Sequence, residues 1–120
     1  ERSLDHYLKD LSAYLRYVQY RAIDEGKTHK LQISGRGELQ SMVDETGRGS
    51  FQKAPDPMIR RLNSREDYEL AFERSGGMYF FPNGVMTKNR LLVLRQEARL
   101  AALQVTGRIG EIRVERPGTA

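Results

Sequence analysis

An apolar stripe at alternating spacings of four and three runs through the first 25 residues: Leu4, Leu8, Leu11, Leu15, Val18 and Ala22. At about 100° per residue these positions share one side of a helix, with Tyr7 and Tyr14 flanking it. Asp5, Lys9, Asp10, Arg16 and Asp24 take the remaining surface. Ser3 precedes the stripe as an N-cap, and Gly26 stands where a helix end takes a left-handed residue. The pattern predicts an amphipathic helix over about 4–25. Such a helix must cover its apolar side with other structure. The stripe is close to heptad, so a coiled-coil seam competes. Three heptads are few for that, and the expectation is a helix lying on a sheet.

Beyond Gly26 the period changes. Thr28–Ser34 alternates Leu31 and Ile33 against Lys30 and Gln32, and Glu38–Val43 does so more weakly, with Gly35-Arg36-Gly37 as a hairpin turn between them. Residues 44–57, containing Gly47, Gly49, Pro55 and Pro57, form a surface loop. Met58–Leu62 and Tyr68–Phe72 are short apolar segments, and Met78-Tyr79-Phe80-Phe81 is a dense aromatic strand expected to be central and buried. Pro82-Asn83-Gly84 is a turn. The segment 88–105 is ambiguous: Leu91, Leu94, Ala98, Ala101, Ala102 and Val105 share a helical face, yet a hairpin turning near Gln96-Glu97 fits as well. Ile109–Val114 makes the last strand, and the tail from Glu115 frays.

One domain over 1–120, β-rich from about 28 to 115, is the organisation this implies: α+β, a long amphipathic helix packed on antiparallel sheet. At 38% apolar and 30% charged the composition is globular, with one modest core. Without cysteine there is no disulfide, no thiolate metal site and no cysteine nucleophile. Two histidines, His6 and His29, leave no HExxH site and little material for a catalytic triad; both read as surface or edge residues. No apolar run approaches the roughly 20 residues that cross a bilayer. The chain opens on Glu1, not Met, so a signal peptide or membrane anchor is expected upstream.

Asp44, Glu45, Glu66, Asp67, Glu69 and Glu73 lie in polar segments with no nucleophile beside them and read as solvated carboxylates, so no catalytic residue is assigned. Asp44, Glu45 and Asp56 lack the spacing of a calcium loop, and no metal or other cofactor is assigned. The two Gly-Arg-Gly tripeptides, 35–37 and 47–49, lack P-loop or dinucleotide spacing. Charge is distributed unevenly: seven cations stand against three acids after residue 77, which accounts for the net +4. That is a footprint for an acidic protein neighbour or for DNA.

A long helix ending Tyr20-Arg21-Ala22-Ile23-Asp24-Glu25-Gly26, then strands containing Tyr79-Phe80-Phe81-Pro82-Asn83-Gly84, then Thr106-Gly107-Arg108-Ile109, resembles the soluble domain of the H-type minor pseudopilins of type II secretion and the related FimT-type minor pilins. The resemblance covers nearly the whole chain, with Phe81, Pro82, Gly84, Gly107 and Arg108 carrying its motifs. Tyr20 and Asp24 depart from the small and basic residues commoner there. The resemblance implies a truncated pilin helix whose missing hydrophobic half, with a processed and methylated N-terminus, anchors the protein in the inner membrane, the soluble domain being periplasmic. It implies a structural, non-enzymatic filament subunit whose partners are other pseudopilins or pilins, with Leu4, Leu8, Leu11, Leu15 and Val18 as the packing and assembly face. It takes no small-molecule substrate. It also implies that 88–105 is two strands. The alternative within the same resemblance is a FimT-like minor type IV pilin used in pilus assembly or DNA uptake. Arg108, Arg113, Lys88 and Arg90 would be its DNA contacts. The "G-R-x-R" motif of DNA-binding members is incomplete here, since Ile109-Gly110 follows Arg108, which argues against nucleic acid.

Overall fold

A computed structural model of the chain describes residues 2–54, 56–65, 67–106 and 111–116. Gly107, Arg108, Glu66 and the tail after Arg116 lie outside them. Helix α1, Arg2–Glu25, begins before the stripe, so Ser3 sits inside its first turn and is not the N-cap. Its hydroxyl instead meets the Arg65 guanidinium and, at 3.1 Å, the Tyr68 hydroxyl. At the other end the expectation holds: Gly26 has φ +67° and Lys27 N–H donates to Ala22 O at 3.2 Å, a Schellman closure.

Two four-stranded antiparallel sheets follow. Sheet A is ordered β3-β2-β1-β5, from β1 (His29–Ile33), β2 (Leu39–Val43), β3 (Gln52–Lys53) and β5 (Met78–Phe80). Sheet B is ordered β4-β6-β7-β8, from β4 (Glu69–Phe72), β6 (Arg90–Arg95), β7 (Ala98–Thr106) and β8 (Glu111–Glu115). A short helix α2, Pro57–Asn63, lies between β3 and β4.

The segment 88–105 is a hairpin, and its turn is Gln96-Glu97 with φ +51° and +67°. Two consecutive positive φ values make this a type I′-like reversal, built without glycine. An extra residue, Leu100, bulges from β7 where the register shifts beside Val93/Leu94. Helix propensity over 96–102 yields to strand pairing on both sides, β6 to β4 and β7 to β8.

Three expectations need correction. The loop 44–57 contains β3, and Asp56 caps α2 by accepting from Met58 N–H at 3.0 Å, with Pro57 at the first helical position. His29 is not a surface residue; it is 1% exposed, on the inward side of β1 opposite Phe80 and Val43. The aromatic strand is an edge strand, not a central one. Met78 and Phe80 are buried, whereas Tyr79 and Phe81 stand on the outer side with Phe51.

The core lies between α1 and both sheets, from Leu11 and Leu15 through Leu31 and Phe80 to Leu91 and Leu103. The stripe is therefore a packing face on a sheet, and the coiled-coil alternative falls.

Candidate assembly surface

Every residue of the predicted stripe faces inward. Leu11 and Leu15 are fully buried, and Leu4, Leu8 and Val18 are nearly so, at 7%, 3% and 1% exposed. Tyr7 and Tyr14 are buried beside them, and each hydroxyl finds a partner: Tyr7 donates to Leu62 O at 3.4 Å and Tyr14 to Asp56 Oδ2 at 2.9 Å. Burial pushes the Tyr7 phenol up to about 12. Burial, and then the hydrogen bond to Asp56, pushes Tyr14 in the same direction. These two bonds tie α1 to α2. The stripe is thus occupied by the chain's own sheets and is not open to a neighbouring molecule.

The motif residues Phe81, Pro82 and Gly84 have a local structural explanation. Gly84 N–H donates to Phe81 O at 2.9 Å across the Pro82-Asn83 turn, and Gly84 takes φ +89°. The turn sits on the C-terminal half of α1: Gln19 Nε2 donates to Gly84 O at 3.0 Å, and a Cβ at Gly84 would come 3.5 Å from Ile23 Cδ1. Glycine here supplies the backbone angle; a Cβ would make only ordinary contact with the helix. Around this contact the surface is apolar. Tyr20, Ile23 and Val85 are 71%, 47% and 40% exposed, with Tyr17 next along the helix. These exposed apolar side chains make the outer side of α1 the candidate interaction surface. Sequence reasoning missed it because the stripe drew attention to the opposite side of α1; the odd Tyr20 was the available signal.

The helix end is clasped to sheet A. His29 Nε2 lies 2.8 Å from Glu25 Oε1, and Arg21 Nε reaches Glu25 Oε2 at 2.9 Å. Against the burial that would raise it, the hydrogen bonds from His29 and Arg21 hold Glu25 below the usual carboxylate range. Among the described residues named as DNA contacts, one cation is already paired. Arg90 is engaged by Glu115 at 3.0 Å and Glu73 at 3.2 Å, and those hydrogen bonds raise its affinity for its proton. Lys88 and Arg113 are exposed. Arg113 pairs in register with Gln104, which pairs with Arg90 in turn, so the one row shared by Arg90 and Arg113 already contains a neutralised cation. Gly107 and Arg108 lie outside the described residues.

The acidic trio Asp44, Glu45 and Asp56 is dispersed. Asp44 accepts from Gly49 N–H at 2.8 Å, Glu45 pairs with Lys27 at 2.6 Å, and Asp56 serves Tyr14 and the α2 cap. Among the described residues no three His, Asp or Glu side chains converge to hold a metal ion. No described helix is long and apolar enough to cross a membrane.

No known family profile and no curated protein matches the chain by sequence. Solved structures do match it by fold. One structure of the minor pseudopilin EpsH from the type II secretion system of Vibrio cholerae superposes with a TM-score of 0.73 at 17% identity, covering 100% of this chain and 99% of that one. A crystal structure of the same protein gives 0.70 at 17% identity, covering 93% and 92%. Helix α1 with its two antiparallel sheets has the fold of a minor pseudopilin, over the whole length of the chain.

Proposed function

We propose that this protein is a structural subunit of a pilus-like filament, a minor pseudopilin of the H type in a type II secretion system, acting in pseudopilus tip assembly and protein export. The observation that carries this reading is the end-to-end match of fold and length to the EpsH domain. The work done is mechanical. The domain contributes no bond-making chemistry; it presents a rigid surface at the distal half of α1 to other pseudopilins. On this reading a hydrophobic segment upstream of Glu1 anchors the protein in the inner membrane before assembly, and the domain is periplasmic. The test is the full gene product together with a deletion. A Gly followed by Phe-Thr-Leu-(Ile/Leu)-Glu and about 20 apolar residues upstream is expected, with loss of export on deletion and its return on complementation. An open reading frame that begins near Glu1, or normal export in the deletion strain, would overturn the reading.

The FimT-like alternative with DNA uptake receives no support from the row of basic side chains on sheet B, because Arg90 is already paired. Duplex DNA titrated at about 50 and 200 mM salt is expected to show weak binding that disappears at the higher salt and ignores Arg113→Ala, as three or four phosphate contacts predict. Tight binding at the higher salt, lost in Arg108→Ala or Arg113→Ala, would favour DNA uptake.

A further inference from the structure

Between α1 and α2 lies an open groove of about 330 Å³. Tyr7, Tyr14 and Leu62 lie beneath it at 2%, 0% and 5% exposed, with both phenol hydroxyls engaged by Leu62 O and Asp56. The surface open to an occupant is that of Met58, Ala13 and Arg61. Met58, 41% exposed, forms one wall, and the small Ala13 on α1 leaves room on the other. A methionine wall adapts to the shape of what it meets.

Charge around the groove is asymmetric. The α2 side carries Arg61 and Arg65, and the α1 side carries Asp10. Arg65 is committed: it lies over the rings of Tyr7 and Tyr68 at 5.5 and 5.2 Å, bonds Ser3, and has Asp67 at 3.5 Å. The Arg61 guanidinium has no carboxylate partner among the described residues and stands exposed at the rim. An occupant that seats an apolar side chain against Met58 and directs a carboxylate toward Arg61, away from Asp10, is complementary to these walls.

We infer that the α1–α2 groove is the docking site for a neighbouring filament subunit, through an acidic segment whose apolar side chain enters the groove beside a carboxylate that pairs with Arg61. This rests on the filament reading and gives it an interface.

The chain contains no cysteine, so single introduced thiols are unique labels. Ala13→Cys and Met58→Cys in the full-length protein, labelled with a maleimide photocrosslinker in the native secretion strain, probe the groove. Arg36→Cys at the β1–β2 turn and Arg48→Cys in the following loop are exposed controls. Both groove positions are expected to cross-link to a pilin-like subunit at a segment with an apolar residue next to Asp or Glu. Arg61→Glu should cut the yield roughly tenfold and Arg61→Lys should largely preserve it, with unchanged melting temperatures showing that both variants are folded. Products with pilin-like subunits from the control positions but none from the groove would overturn the docking site and leave the filament reading standing. A yield indifferent to Arg61→Glu would overturn the charge pairing that defines it. No pilin-like product from any position, together with normal export on deletion, would remove the filament reading and the docking site with it.

Discussion

Sheet A and sheet B are both four-stranded and antiparallel, yet they are built from different material. Sheet A has strands of two to five residues, separated by positive-φ glycines at Gly37, Gly76 and Gly77 and followed by another at Gly84. Sheet B has a six- and a nine-residue strand joined by Gln96-Glu97, where positive φ falls on side chains that dislike it. In sheet A the turns carry the geometry and the strands follow. In sheet B the pairing of long strands carries the geometry and the turn is forced to comply, at a cost of about 1–2 kcal/mol for each left-handed non-glycine residue.

The largest effect expected is on the core that both sheets share. Leu11→Ala, at a fully buried position, should cost about 2–5 kcal/mol in urea unfolding; a change below about 0.5 kcal/mol would mean that the stripe is not the common core. Gly77→Ala comes next and strikes sheet A alone. An added Cβ would stand 2.1 Å from Leu31 O with φ at +74°, so β1 and β5 must separate. A loss of about 3 kcal/mol or more is expected, with amide exchange accelerated in sheet A ahead of sheet B. Uniform acceleration across both sheets would break the comparison.

Tyr14→Phe should cost about 1–3 kcal/mol, because it leaves the Asp56 carboxylate without its phenol partner. The same residues set an alkaline limit. Tyr7, held up to about 12 by burial, and Tyr14 keep their protons in the fold while the unfolded chain loses them near 10. Their contribution is complete below pH 10 and declines as pH rises from there through 12. Urea midpoints measured between pH 8 and 11.5 should fall above pH 10, less steeply in Tyr14→Phe; a flat profile would show that the phenols are not sequestered. The smallest effect has the opposite sign. Replacing Gln96-Glu97 by Asn-Gly should stabilise the domain by about 1–2 kcal/mol, read as a higher melting temperature. Destabilisation would mean that the turn is not of this type.

The same contrast explains what was legible in the sequence. Helix α1, the Gly35–Gly37 turn and the Pro82–Gly84 turn are local signals, and they fold where periodicity and turn chemistry place them. The β6–β7 hairpin was not legible from propensity, because β6 gains its stability from β4, a partner distant in sequence, as in the pairing of Leu91 with Phe72. Helix α2 was announced by Asp56-Pro57, an N-cap followed by proline, though the surrounding glycines and prolines masked it within a loop. His29 was misplaced because alternation around Leu31 gave no hint that a carboxylate four residues back would partner Nε2 of a buried imidazole. The outer side of α1 was the least legible part of the assembly surface, since exposed apolar residues acquire meaning only when the fold groups them.

The stripe on α1 runs the length of the helix, from Leu4 to Ala22, and this has a mechanical consequence. At 1.5 Å per residue the helix is about 36 Å long. A load applied along its axis from the N-terminal end is shared by the whole row of buried side chains at once, in shear. A load applied across the axis would open them one at a time, as a zipper. The Arg116–Asp5 pair and the Ser3–Arg65 bond stand at the end where peeling would begin. A domain pulled by this helix is therefore strong along the axis and weak across it, and removing those two ties should lower its resistance to transverse force while leaving axial force nearly unchanged.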